Sequence, residues 1–375
     1  MTQWIVAEKG LQNIVVDQTA LSLVEGQQGI LIYRGYHIDE MAKCSFEEVC
    51  HLFLCGSLPS SAELDRFDSA LKSERIVDSR VLEYIAAAAK ADVPMAILRT
   101  AVSMLSAKMN LADASNAEAL RKNAIALIAK TTTLAAAIAR AKKGQPAVQP
   151  DPALSHAANF LYMSRGERVD EVVAKTLDTA LVLHIDHGFN ASTFTARATA
   201  STLTDMVSAV LAGIGSLKGP LHGGANTAVM NMLLEIGEPD NVDSFLEKAL
   251  AEKRKIPGFG HRVYKTLDPR AKHLKQMSEA WGKRVGEVKW FTMSQRLEEL
   301  MLEKKKLNAN VDFYSASTYY AMGIPPDMYT VIFAIARMAG WSAHIMEQLG
   351  NNRLIRPEAE YTGPKDLKWV PIEER

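Results

Sequence analysis

Residues 255–271 read K-I-P-G-F-G-H-R-V-Y-K-T-L-D-P-R-A, and the rest of the chain is organised around them. Gly258 and Gly260 supply backbone without Cβ atoms, free to take positive φ and to let a ligand approach closely, and His261 follows directly. Arg262, Lys265 and Arg270 then add fixed positive charge. A histidine at the mouth of such a turn, backed by cations, suits a substrate that carries negative charge and a carbonyl to be polarised. Read alone, the stretch fits a solvated basic loop as well, because glycine motifs recur widely.

Two further stretches change that balance. Upstream, residues 217–226 read L-K-G-P-L-H-G-G-A-N and bed His222 in glycines; downstream, residues 310–316 read N-V-D-F-Y-S-A and set Asp312 in an apolar run. Breaker residues cluster at Gly213, Gly215, Gly219 and Pro220 and again at Gly323, Pro325 and Pro326. Two such clusters around about 100 residues are what an inserted domain needs as hinges. His222, His261 and Asp312 then lie on that insertion or at its border.

The chain of 375 residues is too long for one small core and predicts one large domain or two. Its 48% apolar and 23% charged residues are those of a globular protein, and 43 basic against 43 acidic side chains give no general pull toward nucleic acid or anionic lipid. Cys44, Cys50 and Cys55 crowd near one helix, which fits buried, reduced thiols better than a disulfide framework. The amino terminus, M-T-Q-W-I-V-A-E-K-G, has no basic region followed by an apolar core, and no uninterrupted apolar run is long enough to span a bilayer. The expectation is a cytoplasmic protein.

Residues 11–36 alternate around E-G-Q-Q-G and predict a short hairpin, the only β structure of note. Helices dominate thereafter. Ser45 with Glu48, and Ser60 with Glu63, form capping boxes, and Gly56 closes the first of these helices. Pro94 suits a first helical turn, and an alanine-rich helix runs from about Ala117 to Lys143, ended by Gly144 and Pro146. Residues 177–200 read as helix, bend at Gly188, helix, with His184 and His187 three apart on one face. No third ligand stands at a helpful spacing, so no metal site is expected there.

The three stretches resemble the active-site signatures of the citrate synthase family, in its order and spacing: H-G-G-A-N, G-F-G-H-R-V-Y-K-x-x-D-P-R-A and N-V-D-F-Y-S-A. The likeness extends to H-I-D-H-G-F-N-A-S-T-F-T-A-R at 184–197, I-A-R-M-A-G-W at 335–341 and N-N-R-L-I-R-P at 351–357, and so covers nearly the whole chain. It implies an all-α, two-domain fold, with a large domain of residues 1–218 and 321–375, a small domain of residues 219–320 and the short amino-terminal hairpin. It implies condensation of acetyl-CoA with oxaloacetate and hydrolysis of the thioester to citrate and coenzyme A, the opening step of the tricarboxylic acid cycle, without a cofactor.

By the same resemblance Asp312 is the general base, His222 donates to the thioester oxygen, and His261 polarises the keto carbonyl and protonates the new alkoxide. A carboxylate is a feeble base toward a carbon acid, so charge developing on the enol oxygen needs such a donor. The glycines beside both histidines favour turns that open helices, where imidazolium is disfavoured, and neutral donors follow. His187, Asn190, Arg270, Arg337 and Arg356 match oxaloacetate-binding positions, and a planar guanidinium binds a carboxylate bidentately. Arg337, flanked by apolar I-A and M-A, wants an anion. Arg356 is implied to reach into the partner's site of a homodimer. Coenzyme A falls to Ile256, Gly258, Gly260 and Lys265, with Lys306 a second phosphate candidate whose alternative is a solvated K-K-K run.

Val93 stands where the family often has histidine before Pro94 and Met95, and Ala309 where it often has proline; neither position carries a catalytic role. The length resembles the shorter, dimeric type. The nearest rival is 2-methylcitrate synthase, which differs by one methyl in the acyl group, a difference of about 1–3 kcal/mol that a few pocket side chains decide. A non-catalytic acyl-CoA or dicarboxylate binder needs no base, so Asp312 argues against it. A metal-dependent lyase would be removed by finding about no metal in the protein.

Overall fold

The computed structural model describes residues 7–11, 13–106 and 116–375; the amino-terminal M-T-Q-W-I-V lies outside them. Strands β1 Ser22–Glu25 and β2 Ile30–Tyr33 pair antiparallel, Ser22 opposite Tyr33 and Glu25 opposite Ile30, and β3 Tyr36–His37 pairs with β2. The hairpin is shorter than the alternation from residue 11 predicts. Residues 13–18 are exposed, and alternation without a face to bury makes no strand.

Helices α1 Ile38–Met41, α2 Phe46–Cys55, α3 Ser61–Ser73, α4 Ser79–Ala88 and α5 Pro94–Leu105 follow. The Ser45 hydroxyl accepts from the Glu48 amide at 3.2 Å while the Glu48 carboxylate takes the Ser45 N–H at 2.6 Å, and Gly56 ends α2 at φ 99°. At α3 the Glu63 carboxylate accepts both the amide and the hydroxyl of Ser60. Pro94 opens α5 as predicted.

The long helix is α6 Ala117–Lys142, and Gly144 follows at φ 69°. By length and composition it could cross a bilayer, yet most of that apolar stretch is buried in the protein, as the core helix of a folded domain is. It packs against α7 His156–Arg165 and, with α8 Glu171–His184, α9 Ala191–Ala200, α10 Met206–Leu217 and α16 Tyr329–Gly350, builds the main core. Between α10 and α16, α11 Ala225–Ile236, α12 Val242–Ala251, α13 Ala271–Val285, α14 Lys289–Lys305 and α15 Val311–Ala321 pack largely on one another, α13 against α15 most extensively.

Four local expectations are corrected. α8 ends at His184 and six residues without helix precede α9, so His184 and His187 share no helix face. Gly213 and Gly215 lie inside α10, which runs on to Leu217; Gly213 is small because the Trp341 ring lies 3.1 Å from where a Cβ would stand. The loosening expected there is confined to the turn at Gly219 and Pro220. His261 does not open a helix; α13 begins ten residues later. Of the cysteines only Cys50 is buried, whereas Cys44 is half-buried and Cys55 exposed, and all three are free thiols.

Candidate active site

The segment after Ile256 is held by the segment before α15. The Gly260 amide donates to the Asn308 carbonyl at 2.9 Å, the Asn310 amide to the Gly258 carbonyl at 3.0 Å, and the Asn310 Nδ2 to the Gly260 carbonyl at 3.0 Å. Asn310 also caps α15 by accepting from the Asp312 amide at 3.0 Å. Glycine is required at 258: φ is 84°, and a Cβ would stand 2.7 Å from both Phe313 and Val229. One short pairing thus places His261 and Asp312 on neighbouring segments.

His261 Nδ1 accepts from the amides of Val263 and Tyr264, at 3.0 and 3.1 Å. Those two donors keep Nδ1 unprotonated, so the neutral ring carries its proton on Nε2. Burial, then the charge of Arg270, lowers His261 to about 4. The neutral imidazole expected at a helix terminus is therefore made by burial, with the loop amides fixing its tautomer. The His187 ring lies 5.0 Å from that of His261, its Nε2 is 3.1 Å from the Tyr264 hydroxyl, and burial followed by Arg270 and His261 holds it well below the ordinary range.

His222 lies in the turn before α11, and burial followed by Arg337 brings it to about 4. Its Nε2 is 2.8 Å from the Ser192 hydroxyl. That oxygen receives the Trp341 indole N–H at 3.1 Å and lies 2.8 Å from Asn190 Oδ1. Asn190 itself caps α9: its Oδ1 accepts the amides of Ser192 and Thr193, and its Nδ2 donates to Gly188 and Thr193 oxygens.

Asp312 Oδ1 is buried and has no partner, while part of the side chain still reaches the surface. Burial raises Asp312 to about 7 against the opposing charges of Arg270 and Arg337. Arg270 is buried and grips Asp268 with Nε at 3.0 Å and Nη2 at 2.7 Å. Burial opposes its charge, but Asp268 outweighs that and holds Arg270 above the usual guanidinium range. Arg337, buried on α16, donates Nε to the His184 carbonyl at 2.8 Å, lies 4.8 Å over the Phe333 ring, and leaves Nη1 buried without a partner. Burial lowers it to about 10.

Three histidines, a carboxylate and two guanidiniums thus share one set of fields. Arg356 does not join them within its own chain: it is exposed and pairs with Glu358. Lys265 and Lys306 are exposed, Lys306 at φ 57° as the cap of α14, while Ile256 is buried. His184 is a core histidine, its Nδ1 2.7 Å from the Ala180 carbonyl. Sequence reasoning missed Ser192, Tyr264 and Asp268. Asp268, two residues before Arg270 in D-P-R, carried a readable signal; the others depend on contacts across the fold.

The sequence profile of the family described as "Citrate synthase, C-terminal domain" matches residues 10–358. The chain belongs to the citrate synthase family. It is an acyltransferase of that family. It is 48% identical over 374 residues to the citrate synthase of Haloferax volcanii, covering 98% of this chain and 99% of that one. It is 42% identical over 357 residues to a 2-methylcitrate synthase of Mycobacterium tuberculosis, with 95% and 90% covered. The ternary complex of citrate synthase from Thermoplasma acidophilum with carboxymethyl coenzyme A and oxaloacetate superposes with a TM-score of 0.93 at 33% identity, covering 100% of each chain. The mostly helical architecture is that of the citrate synthase fold.

Proposed function

We propose that this chain condenses oxaloacetate with acetyl-CoA and hydrolyses the thioester to citrate and coenzyme A. The observation that carries this reading is Asp312, a carboxylate raised to about 7 with one oxygen unpartnered, in the fields that also hold His187, His222 and His261 neutral. A base of that strength removes a thioester methyl proton more readily than an ordinary carboxylate. The electron pair released forms the new carbon–carbon bond at the keto carbon. The His261 Nε2–H polarises the keto oxygen and supplies its proton.

His222 donates to the enol oxygen. The Ser192 hydroxyl donates to Asn190 Oδ1 in the free protein and can turn its one proton to His222 Nε2, also 2.8 Å away; the neutral ring then keeps its own proton on Nδ1. Arg337 Nη1, His187, Asn190 and Arg270 receive the oxaloacetate carboxylates, and Arg356 completes the set from a second copy in a homodimer. Ile256, Gly258, Gly260, Lys265 and Lys306 take coenzyme A. Residues 219–320 close over residues 1–218 and 321–375 when oxaloacetate binds, which keeps water out until hydrolysis is due. Thioester and water balance the reaction, so no cofactor is needed, and the enzyme works in the cytoplasm.

The 2-methylcitrate synthase reading is kept by the 42% identical relative of that name. With oxaloacetate fixed, kcat/KM for acetyl-CoA should exceed that for propionyl-CoA. A preference for propionyl-CoA would move the substrate and leave the mechanism; turnover of neither would leave a binding protein.

A further inference from the structure

The amino-terminal hairpin touches both halves of the site. At its base, Ser22 and Tyr33 are register partners and both hold Asp186, the residue before His187. The Ser22 hydroxyl donates to Asp186 Oδ2 at 2.5 Å and accepts from the Gly188 amide at 3.0 Å, and the Tyr33 hydroxyl donates to the Asp186 carbonyl at 2.9 Å. At its tip, the Gly26 carbonyl accepts from the Lys265 amide at 2.9 Å. The contact there is too close for side chains. A Cβ on Gly26 would stand 2.3 Å from the Val263 carbonyl oxygen, and one on Gly29 would stand 2.8 Å from Thr266 Cγ2 and 2.9 Å from the Leu267 carbonyl oxygen. Val263 is one of the two residues whose amides fix the His261 ring. Beyond the hairpin, Asp39 binds Lys272 and His273 at 2.5 and 2.6 Å, so the same small unit also borders the start of α13.

We propose that Gly26 and Gly29 are positioning residues for the condensation, the hairpin acting as a ruler that sets His261 against His187. The His187 loop is fastened to its base and the His261 loop rests on its tip, with four residues of paired strand between. The proposal rests on the citrate-forming reading, in which His261 polarises the keto carbonyl of bound oxaloacetate. Gly26 has no positive φ, so its lack of a side chain is explained by the Val263 backbone and not by its own conformation. Backbone cannot rotate away as a side-chain tip can, so an added methyl must move the loop by on the order of 1 Å, and such a displacement of a catalytic group costs about ten- to a hundredfold in rate.

The test is Gly26→Ala, with Gly35→Ala as its control. Gly35 lies between β2 and β3 at φ 93°, and nothing lies within 4 Å of where its methyl would stand, so that substitution strains the same sheet without touching the loop. For each protein, kcat, KM for both substrates, thermal stability and the infrared carbonyl band of bound oxaloacetate are measured. Wild type should show the keto band shifted from its position in water. Gly26→Ala should lose most of that shift and about ten- to a hundredfold in kcat, with oxaloacetate affinity changed less. Gly35→Ala should melt lower yet keep the wild-type band and kcat per folded molecule. If Gly26→Ala does not fold, Gly29→Asn probes the same contact, since asparagine tolerates positive φ but its Cβ meets Thr266 and Leu267. A wild-type band and kcat in the tip variant, or an equal loss in Gly35→Ala, would overturn the proposal. A wild type that turns over without any band shift would likewise overturn it, by removing the role of His261, whereas turnover of neither thioester would instead overturn the function on which it rests.

Discussion

Asp312 sits in the first turn of α15, where the helix dipole favours a carboxylate's charge, and still burial lifts it to about 7. Two consequences can be measured. Asp312→Asn should keep oxaloacetate binding nearly intact while turnover falls by orders of magnitude; substantial residual rate would remove Asp312 as the base. The same variant should be the more heat-stable protein at alkaline pH. A carboxyl whose folded pKa lies above its unfolded value holds its proton more tightly in the native state, so its ionisation destabilises the fold above about pH 7 and ceases to matter below about pH 4. The melting temperature of Asp312→Asn should therefore exceed wild type at pH 8 and converge with it as pH falls toward 4. Asp312 was legible in the sequence because a charge stood in an apolar run. Ser192 was not, since what marks it is a bond to His222, thirty residues away.

Gly258 shows what elements add to residues. Its neighbours Asn308 and Asn310 pair with the glycine segment, and this pairing, more than either helix, aligns His261 with α15. Gly258→Ala combines a positive φ with contacts at 2.7 Å and should lower stability by about 1–3 kcal/mol, read as a drop in melting temperature, with activity falling alongside. Wild-type stability and rate would show that the pairing gives way without consequence. Helix ends with capping boxes and glycine stops were readable because their determinants are local, as Ser45, Glu48 and Gly56 illustrate. The break after His184 was not, because Leu181, Val182, Leu183 and Ile185 continue an apolar pattern while tertiary bonds to the hairpin end the helix. The hairpin itself was visible as an element, but its two anchor points lie more than 150 and 200 residues away in sequence, at Asp186 and Lys265.

At the scale of the molecule, a single chain assembles every proposed catalytic group but leaves Arg356 exposed and paired with Glu358. If it serves a second copy, damage in two different chains can be complemented. Asp312→Ala lends a sound Arg356, and Arg356→Ala a sound Asp312, so a mixed dimer holds one intact site of two. Random pairing after unfolding and refolding an equal mixture makes about half the dimers mixed, giving roughly a quarter of wild-type activity. Separately refolded proteins, combined without exchange, should stay near zero. Inactivity of the co-refolded mixture, once mixed dimers are shown to form, would take Arg356 out of the partner's site. The unpartnered Nη1 of Arg337 carries a wider consequence. Folding leaves this nitrogen of a buried cation without a hydrogen-bond partner, so an anion that binds there should stabilise the folded form over the unfolded one. If oxaloacetate is that anion, resistance to heat and proteolysis should rise with its concentration, and an enzyme kept short of it should be the sooner degraded.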